Sequence, residues 1–163
     1  MSESVHPNVV RVIEAGRALG LSITTRRFPE GTKTAQDAAN AIGVSVGQIV
    51  KSLVFAVDGE IVMAYVSGAN QLDEKKLAAA AGGAKCSRVD ADAVREATGF
   101  PIGGVPPFGF SRPLQIFIDP DLLKYDEVWA AAGTWNDVFP IAPNDLVRAS
   151  GGVVTNLKRL PSD

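Results

Sequence analysis

Val9, Val10, Val12, Ile13 and Leu19 recur at helical spacing from Pro7 onward, with Gly20 behind them as a stop, and so predict a first helix. Ile23 to Phe28 has the composition of a short strand and leads into the loop Pro29 to Lys33. Thr34 with Asp37 three residues on has the form of an N-cap pair, so the alanine-rich run from Ala35 to Ile42 is a second helix, closed by Gly43. Gln48 to Val57 and Glu60 to Ser67 are two β-rich runs joined at Asp58-Gly59, a strong local hairpin signal, and should form the antiparallel centre of a sheet. Leu72 to Ala81 is helical by its Asp, Glu, Lys and Ala content and ends at Gly82-Gly83; a brief strand follows near Lys85 to Val89. Asp90 then caps a short helix to Thr98. Leu114 to Ile118, Glu127 to Ala131 and Val138 to Ile141 are further strands, and Pro143 opens a last helix that runs to about Ala149 before Gly151-Gly152. The pattern predicts an α+β fold, a mixed and largely antiparallel sheet with helices around it.

One stretch fits neither period. Thr98 to Gly109 packs four glycines and three prolines among large apolar residues. Proline fixes φ and removes an amide donor, while glycine leaves neighbouring amides uncovered, so the segment is a stiff loop with an exposed backbone. Phe100, Ile102, Val105 and Phe108 favour its packing against a body. It is either a backbone-lined pocket wall or a rigid turn between two elements. In the first hairpin strand, alternation puts Ile49, Lys51, Leu53, Phe55 and Val57 on one face and Val50, Ser52, Val54 and Ala56 on the other. Lys51 on an apolar face either snorkels to solvent at the strand start or aims a cation at a substrate carbonyl or phosphate.

Composition narrows the chemistry. At 163 residues and 46% hydrophobic content, residues 1–163 read as a single domain. No window has the apolar length of a membrane span, and the stretch Met1 to His6 lacks signal-peptide character, so the expected location is cytoplasmic. The lone Cys86 has no disulfide partner and reads as a small core hydrophobe. Net charge of −2 argues against a broad phosphate-tracking surface; Arg26-Arg27, Lys75-Lys76 and Lys158-Arg159 are short basic pairs, each simplest as a solvated surface pair. His6 is the only histidine and sits near a terminus expected to fray, which disfavours histidine-based hydrolases and zinc sites; no metal or cofactor is expected. Gly99 to Gly109 matches neither a Walker A loop nor a dinucleotide fingerprint. Asp73, Asp90, Asp92 and Asp145 stand at helix starts, where capping explains them, and Trp129 and Trp135 read as core or rim packing. An enzyme with these residues works by positioning and backbone dipoles, as an oxyanion hole does.

Three segments together resemble the YbaK/ProX aminoacyl-tRNA deacylases, relatives of the editing domain inserted in bacterial prolyl-tRNA synthetases. They are Gln48 to Leu53 with its strand lysine, Ser67 to Asp73, and Ala97 to Phe100 running into Gly103-Gly104-Val105-Pro106-Pro107. The resemblance covers nearly the whole chain and implies a barrel-like sheet within the α+β fold. It implies free-standing trans-editing: hydrolysis of the ester joining a wrong, small amino acid such as Ala or Cys to the terminal adenosine of a tRNA, usually tRNA-Pro. It makes Lys51, Gly103 and Gly104 the catalytic candidates, with the loop amides around the ester and a ribose hydroxyl of the substrate helping to orient water. Thr34, Ser52, Ile102, Val105, Pro106, Ala131, Gly133, Asn136 and Asp137 are the substrate-binding candidates. The implied partners are the tRNA acceptor end and either prolyl-tRNA synthetase or an elongation factor. One departure concerns the late pocket loop, where some members carry Ser-Gly-Gly and a nearby aspartate. Here Ala130 to Asp137 has no serine, which leaves Asn136 or Asp137 to supply the polar group. The alternatives are a non-catalytic module that binds aminoacyl-tRNA or a synthetase, and a general small-ester hydrolase.

Overall fold

In the computed structural model, which describes residues 5–28 and 34–160, the chain runs α1 (Pro7–Ala18), β1 (Arg26–Arg27), α2 (Ala35–Ile42), β2 (Val50–Val57), β3 (Glu60–Ser67), α3 (Glu74–Ala80), β4 (Cys86–Arg88), α4 (Ala91–Thr98), β5 (Gln115–Ile118), β6 (Val128–Ala131), β7 (Asp137–Ile141), α5 (Pro143–Ser150) and β8 (Val153–Val154). Short 3₁₀ turns at Val46–Gln48 and Pro120–Lys124 precede β2 and β6. Asp58 and Gly59 both take positive φ, 50° and 87°. That two-residue turn has the twist a β-hairpin needs, so β2 and β3 pair in register from Val50–Ser67 to Val57–Glu60. The Asp58 carboxylate also accepts the amides of Ala84 and Lys85, which brings β4 onto the far end of β2.

The strands form a five-stranded sheet in the order β4-β2-β3-β5-β8 and a three-stranded sheet in the order β1-β7-β6. Most ladders are antiparallel; β3–β5 and β5–β8 are parallel. Among the described residues the two sheets meet at one bridge, Ile49 to Trp129. β3 lies at the centre, buried on both faces. Met63 and Tyr65 join a cluster with Phe100, Val105, Phe108 and Phe139, while Val62, Ala64 and Val66 join another with Leu72, Leu77 and Leu157.

The parallel β3–β5 pairing requires a long crossover, and the glycine-proline loop belongs to it. Phe100 and Phe108 are buried, and two hydroxyls hold the backbone between them: Tyr65 donates to the Pro106 carbonyl at 2.6 Å and Ser52 to that of Val105 at 2.7 Å. At the exposed tip, Gly104 N–H donates to the Pro101 carbonyl at 2.9 Å and Gly103 takes φ 84°. This is a turn that needs a left-handed residue at its third position.

Several expectations shift. Only Arg26–Arg27 of the strand expected from Ile23 to Phe28 is laddered, because Ile23 packs on α1 instead; a Cβ on Gly16 would stand 2.2 Å from its Cδ1. Leu72 lies outside α3 and bridges Lys158, while Asp73 caps the helix. Asp90 caps α4, but Asp92 and Asp145 do not cap: Asp145 pairs with Arg148, and Ala142 precedes α5 with no side-chain cap. His6 does not fray; its Nδ1 accepts the Asn8 amide and caps α1. β8 was not predicted from the sequence pattern. Cys86 is partly buried against the second cluster. The expected loop from Pro29 to Lys33, and Met1 to Ser4 of the terminal stretch, lie outside the described residues.

Removing the Tyr65 hydroxyl leaves the Pro106 carbonyl buried without its donor. Tyr65→Phe should therefore lower unfolding free energy by about 1–3 kcal/mol, measured by urea denaturation; an unchanged midpoint would show that the bond does not hold the loop.

Candidate active site

Lys51 follows the strand start, and its ammonium donates to the backbone carbonyl of Asn70 just beyond β3. Asn70 is itself clamped: its Nδ2 donates to Asp119 Oδ2 at 2.7 Å and to Asp121 Oδ2 at 2.8 Å. Asp119, fully buried, also accepts the Ser67 amide and caps the turn that follows β5. Asp121 is held ionised well below the usual carboxylate range by Lys124, Asn70 and Lys158, in that order. Two carboxylates therefore fix the carbonyl that fixes the lysine. Burial pulls the Lys51 ammonium below its ordinary pKa, and the Asp119 charge pushes the other way.

A hollow of about 390 Å³ opens beside Lys51. Of the residues singled out in the sequence, Lys51, Ser52, Thr34, Ile102, Gly103 and Ala131 line it. The structure brings these together from β2, the α2 cap, the glycine-proline loop and β6. Thr34 also caps α2 through the Asp37 amide at 3.0 Å. Among the described residues the Gly103 amide has no acceptor, which leaves it available at the hollow wall.

The other candidates lie behind this wall. Gly104 spends its amide on Pro101, so it does not offer that donor to an ester. Its work is steric: a Cβ there would stand 2.8 Å from Thr134 Cα and 2.9 Å from the Gly133 carbonyl, and Gly104 O accepts the Gly133 amide at 3.0 Å. Gly133 in turn packs on Asn8, whose Nδ2 donates to its carbonyl. Val105 and Pro106 present their carbonyls to Ser52 and Tyr65. Asp137 is buried and pairs with Arg27 at 2.7 Å and with the Thr134 hydroxyl, and Asn136 bonds the Phe28 carbonyl. Both polar residues brace the late loop from outside the hollow.

Sequence reasoning missed Thr134 and the apolar lining from Ala35, Ala38, Ile49, Trp129 and Val138. It also missed Asn70 and Asp119, whose part is played through a backbone carbonyl. Of the two tryptophans, Trp135 is exposed and Trp129 is buried, and Trp129 Nε1 has no hydrogen-bond partner among the described residues although the residue lines the hollow. Among the described residues, no three His, Cys, Asp or Glu side chains could together hold a metal ion, and no helix is long and apolar enough to cross a membrane. Among the described residues the hollow offers a cation, an amide without an acceptor, two threonines, a serine and no carboxylate, which suits stabilising charge on a carbonyl oxygen rather than transferring protons.

Comparison with known proteins identifies the family. Residues 29–149 match the family described as the aminoacyl-tRNA editing domain. A crystal structure described as a candidate trans-editing enzyme for prolyl tRNA synthetase is 42% identical, with a TM-score of 0.90 over 96% of this chain and 100% of that one. The uncharacterized protein YwhH of Bacillus subtilis is 32% identical over 73% of this chain and 76% of its own length. The multifunctional Ser/Thr-tRNA deacylase ProXp-y of Escherichia coli is 31% identical over 72% of this chain and 73% of its own.

Because burial is the leading influence on Lys51, its ammonium should lose its proton at a lower pH than an ordinary lysine, whose pKa is about 10.4. Asp119→Asn removes the charge that holds the proton on, so the titration should move lower still. Nitrogen-detected NMR of the side-chain amine reads both. A raised Lys51 pKa, or one indifferent to Asp119→Asn, would contradict the arrangement.

Proposed function

The chain belongs to the aminoacyl-tRNA editing domain family, whose members are deacylases that hydrolyse the ester of mischarged tRNA, and on that premise we propose that the Lys51 hollow is where the ester is cut. The observation that carries this reading is the shared wall: Lys51 and Gly103, whose amide has no acceptor among the described residues, both line one hollow. In this reading the aminoacyl side chain enters among Ala35, Ala38, Ala131 and Val138, and the ester carbonyl turns its oxygen toward Gly103 N–H and the Lys51 ammonium. Water attacks the carbonyl carbon. The bond to the ribose oxygen breaks, that oxygen takes a proton, and the free amino acid and tRNA leave. A neighbouring ribose hydroxyl orients the water, consistent with the absence of a carboxylate or histidine among the described lining residues.

The substrate is a tRNA, tRNA-Pro first among candidates, carrying a small amino acid such as Ala or Cys. The alanine-rich walls set the size. Similarity to the Ser/Thr-tRNA deacylase ProXp-y of Escherichia coli extends the range to small hydroxyl side chains. Serine therefore belongs in the panel. A net charge of −2 supports weak intrinsic tRNA affinity, with identity borrowed from prolyl-tRNA synthetase or an elongation factor in the cytoplasm.

Deacylation assays over tRNA-Pro charged with Ala, Cys, Ser and Pro test the reading. Lys51→Ala should lower kcat by about 100-fold or more, the usual effect of losing one oxyanion donor. Full activity in that variant would remove Lys51 from the chemistry. Tight binding without turnover by the wild type would instead favour a non-catalytic module, and turnover of simple esters lacking adenosine would favour a general esterase. Separately, KM should rise steeply between low and physiological salt; a flat response would contradict binding through phosphates.

A further inference from the structure

The middle of β2 is exposed in an unusual way. Every residue from Lys51 to Ala56 is partly buried, on both faces, whereas β3 beside it is buried from Val62 to Ser67. An exposed face would give alternation, so this uniform partial exposure marks an open strand edge. The ladders agree. β3 covers one edge along the whole strand, but β4 covers the other only at Phe55, Ala56 and Val57. At the start of the strand the Ile49–Trp129 bridge closes the same edge. Between these ends no described residue ladders with it.

The parity of the ladder tells which groups face out. Ile49 O accepts the Gly68 amide on the β3 side, and Asp58 N–H donates to Lys85 on the β4 side. Alternation from either anchor points the N–H and C=O of Ser52 and Val54 toward the open edge. That edge runs between the Lys51 hollow and a second hollow of about 310 Å³ bordered by Phe55, Arg88, Val89 and Val94, and the two hollows share Ser52, Leu53, Ile102 and Gly103. Among the described residues no carboxylate lines either one, and Arg88 forms no ion pair.

We propose that this edge is the base-reading subsite for the terminal nucleotide: the Ser52 carbonyl accepts the exocyclic amine of adenine and the Val54 amide donates to the adjacent ring nitrogen. An acceptor and a donor one residue apart on an open strand match the donor–acceptor edge of adenine. Guanine and uracil present the opposite order there. Arg88 stands at the end of the second hollow, placed for a phosphate. The open stretch offers only two outward-facing residues, too few to add a peptide strand, which also favours a single base. The inference rests on the editing reading, because it is the ester's own nucleotide that would lie beside Lys51.

Its test needs no ester, so it can fail or succeed apart from that reading. Backbone amide NMR of the wild type is followed during titration with AMP, purine riboside monophosphate, CMP, GMP and UMP. AMP should shift the Ser52 to Val54 amides and bind about tenfold more tightly than GMP, UMP or the purine riboside. Val54→Pro deletes the proposed donor without removing a ladder bond; it should abolish the preference for AMP over GMP while weak binding through Arg88 persists. Equal shifts with all nucleotides would overturn the assignment, as would tighter binding of CMP than AMP. A short peptide that shifts these amides where AMP does not would overturn it in favour of strand addition. Loss of mischarged-tRNA hydrolysis in every assay, with AMP still bound at this edge, would instead overturn the editing reading alone.

Discussion

Two hydroxyl-to-carbonyl hydrogen bonds, Ser52 to Val105 and Tyr65 to Pro106, hold the glycine-proline loop to the sheet, and the site depends on them. The loop cannot be held by its own ladder, because prolines at 101, 106 and 107 remove the donors a strand would use. Side chains from β2 and β3 supply the attachment instead. Once Val105 and Pro106 are fixed, the preceding turn has one orientation, and Gly103 is brought to the wall of the hollow beside Lys51.

A second contact joins two loops beside that hollow. Gly104 and Gly133 let two loops approach backbone to backbone, closer than any Cβ would allow, and the Arg27–Asp137–Thr134 group braces the late loop from behind. Lys51 is restrained on the opposite side through Asn70, itself held by Asp119 and Asp121. Lys51 and Gly103, the groups proposed to meet the ester, thus sit between two independently anchored walls. Such fixed dipoles need little reorganisation when charge develops on an oxygen, the property an enzyme without a proton-transfer side chain relies on.

Features set by neighbouring residues were legible in the sequence. Asp58-Gly59 made the hairpin plain, Thr34 and Asp90 marked their helices, and alternation placed Lys51 on the face shared with Leu53 and Phe55. Features set by distant pairing were not: Val153–Val154 finds β5 across a parallel ladder, and Ile23 leaves its expected strand to rest on Gly16. In the site, the same division holds. Lys51 and the loop stood out by residue type, whereas Asn70 acts through a backbone carbonyl that every residue carries, and Gly104 looked like an amide donor until its partner, Pro101, was seen. The departure at Ala130 to Asp137 had a physical resolution that residue types could not reveal, since Asp137 turns outward to Arg27 and leaves Thr134 on the hollow.

The central claim is that Lys51 and the Gly103 amide address one carbonyl oxygen. A crystal structure with a non-hydrolysable 3′-aminoacylamino-3′-deoxyadenosine tests it most directly. The account predicts the amide oxygen of that ligand within hydrogen-bond distance of both Lys51 Nζ and Gly103 N. A ligand bound with that oxygen turned to solvent, or with Lys51 still held by Asn70 alone, would contradict it.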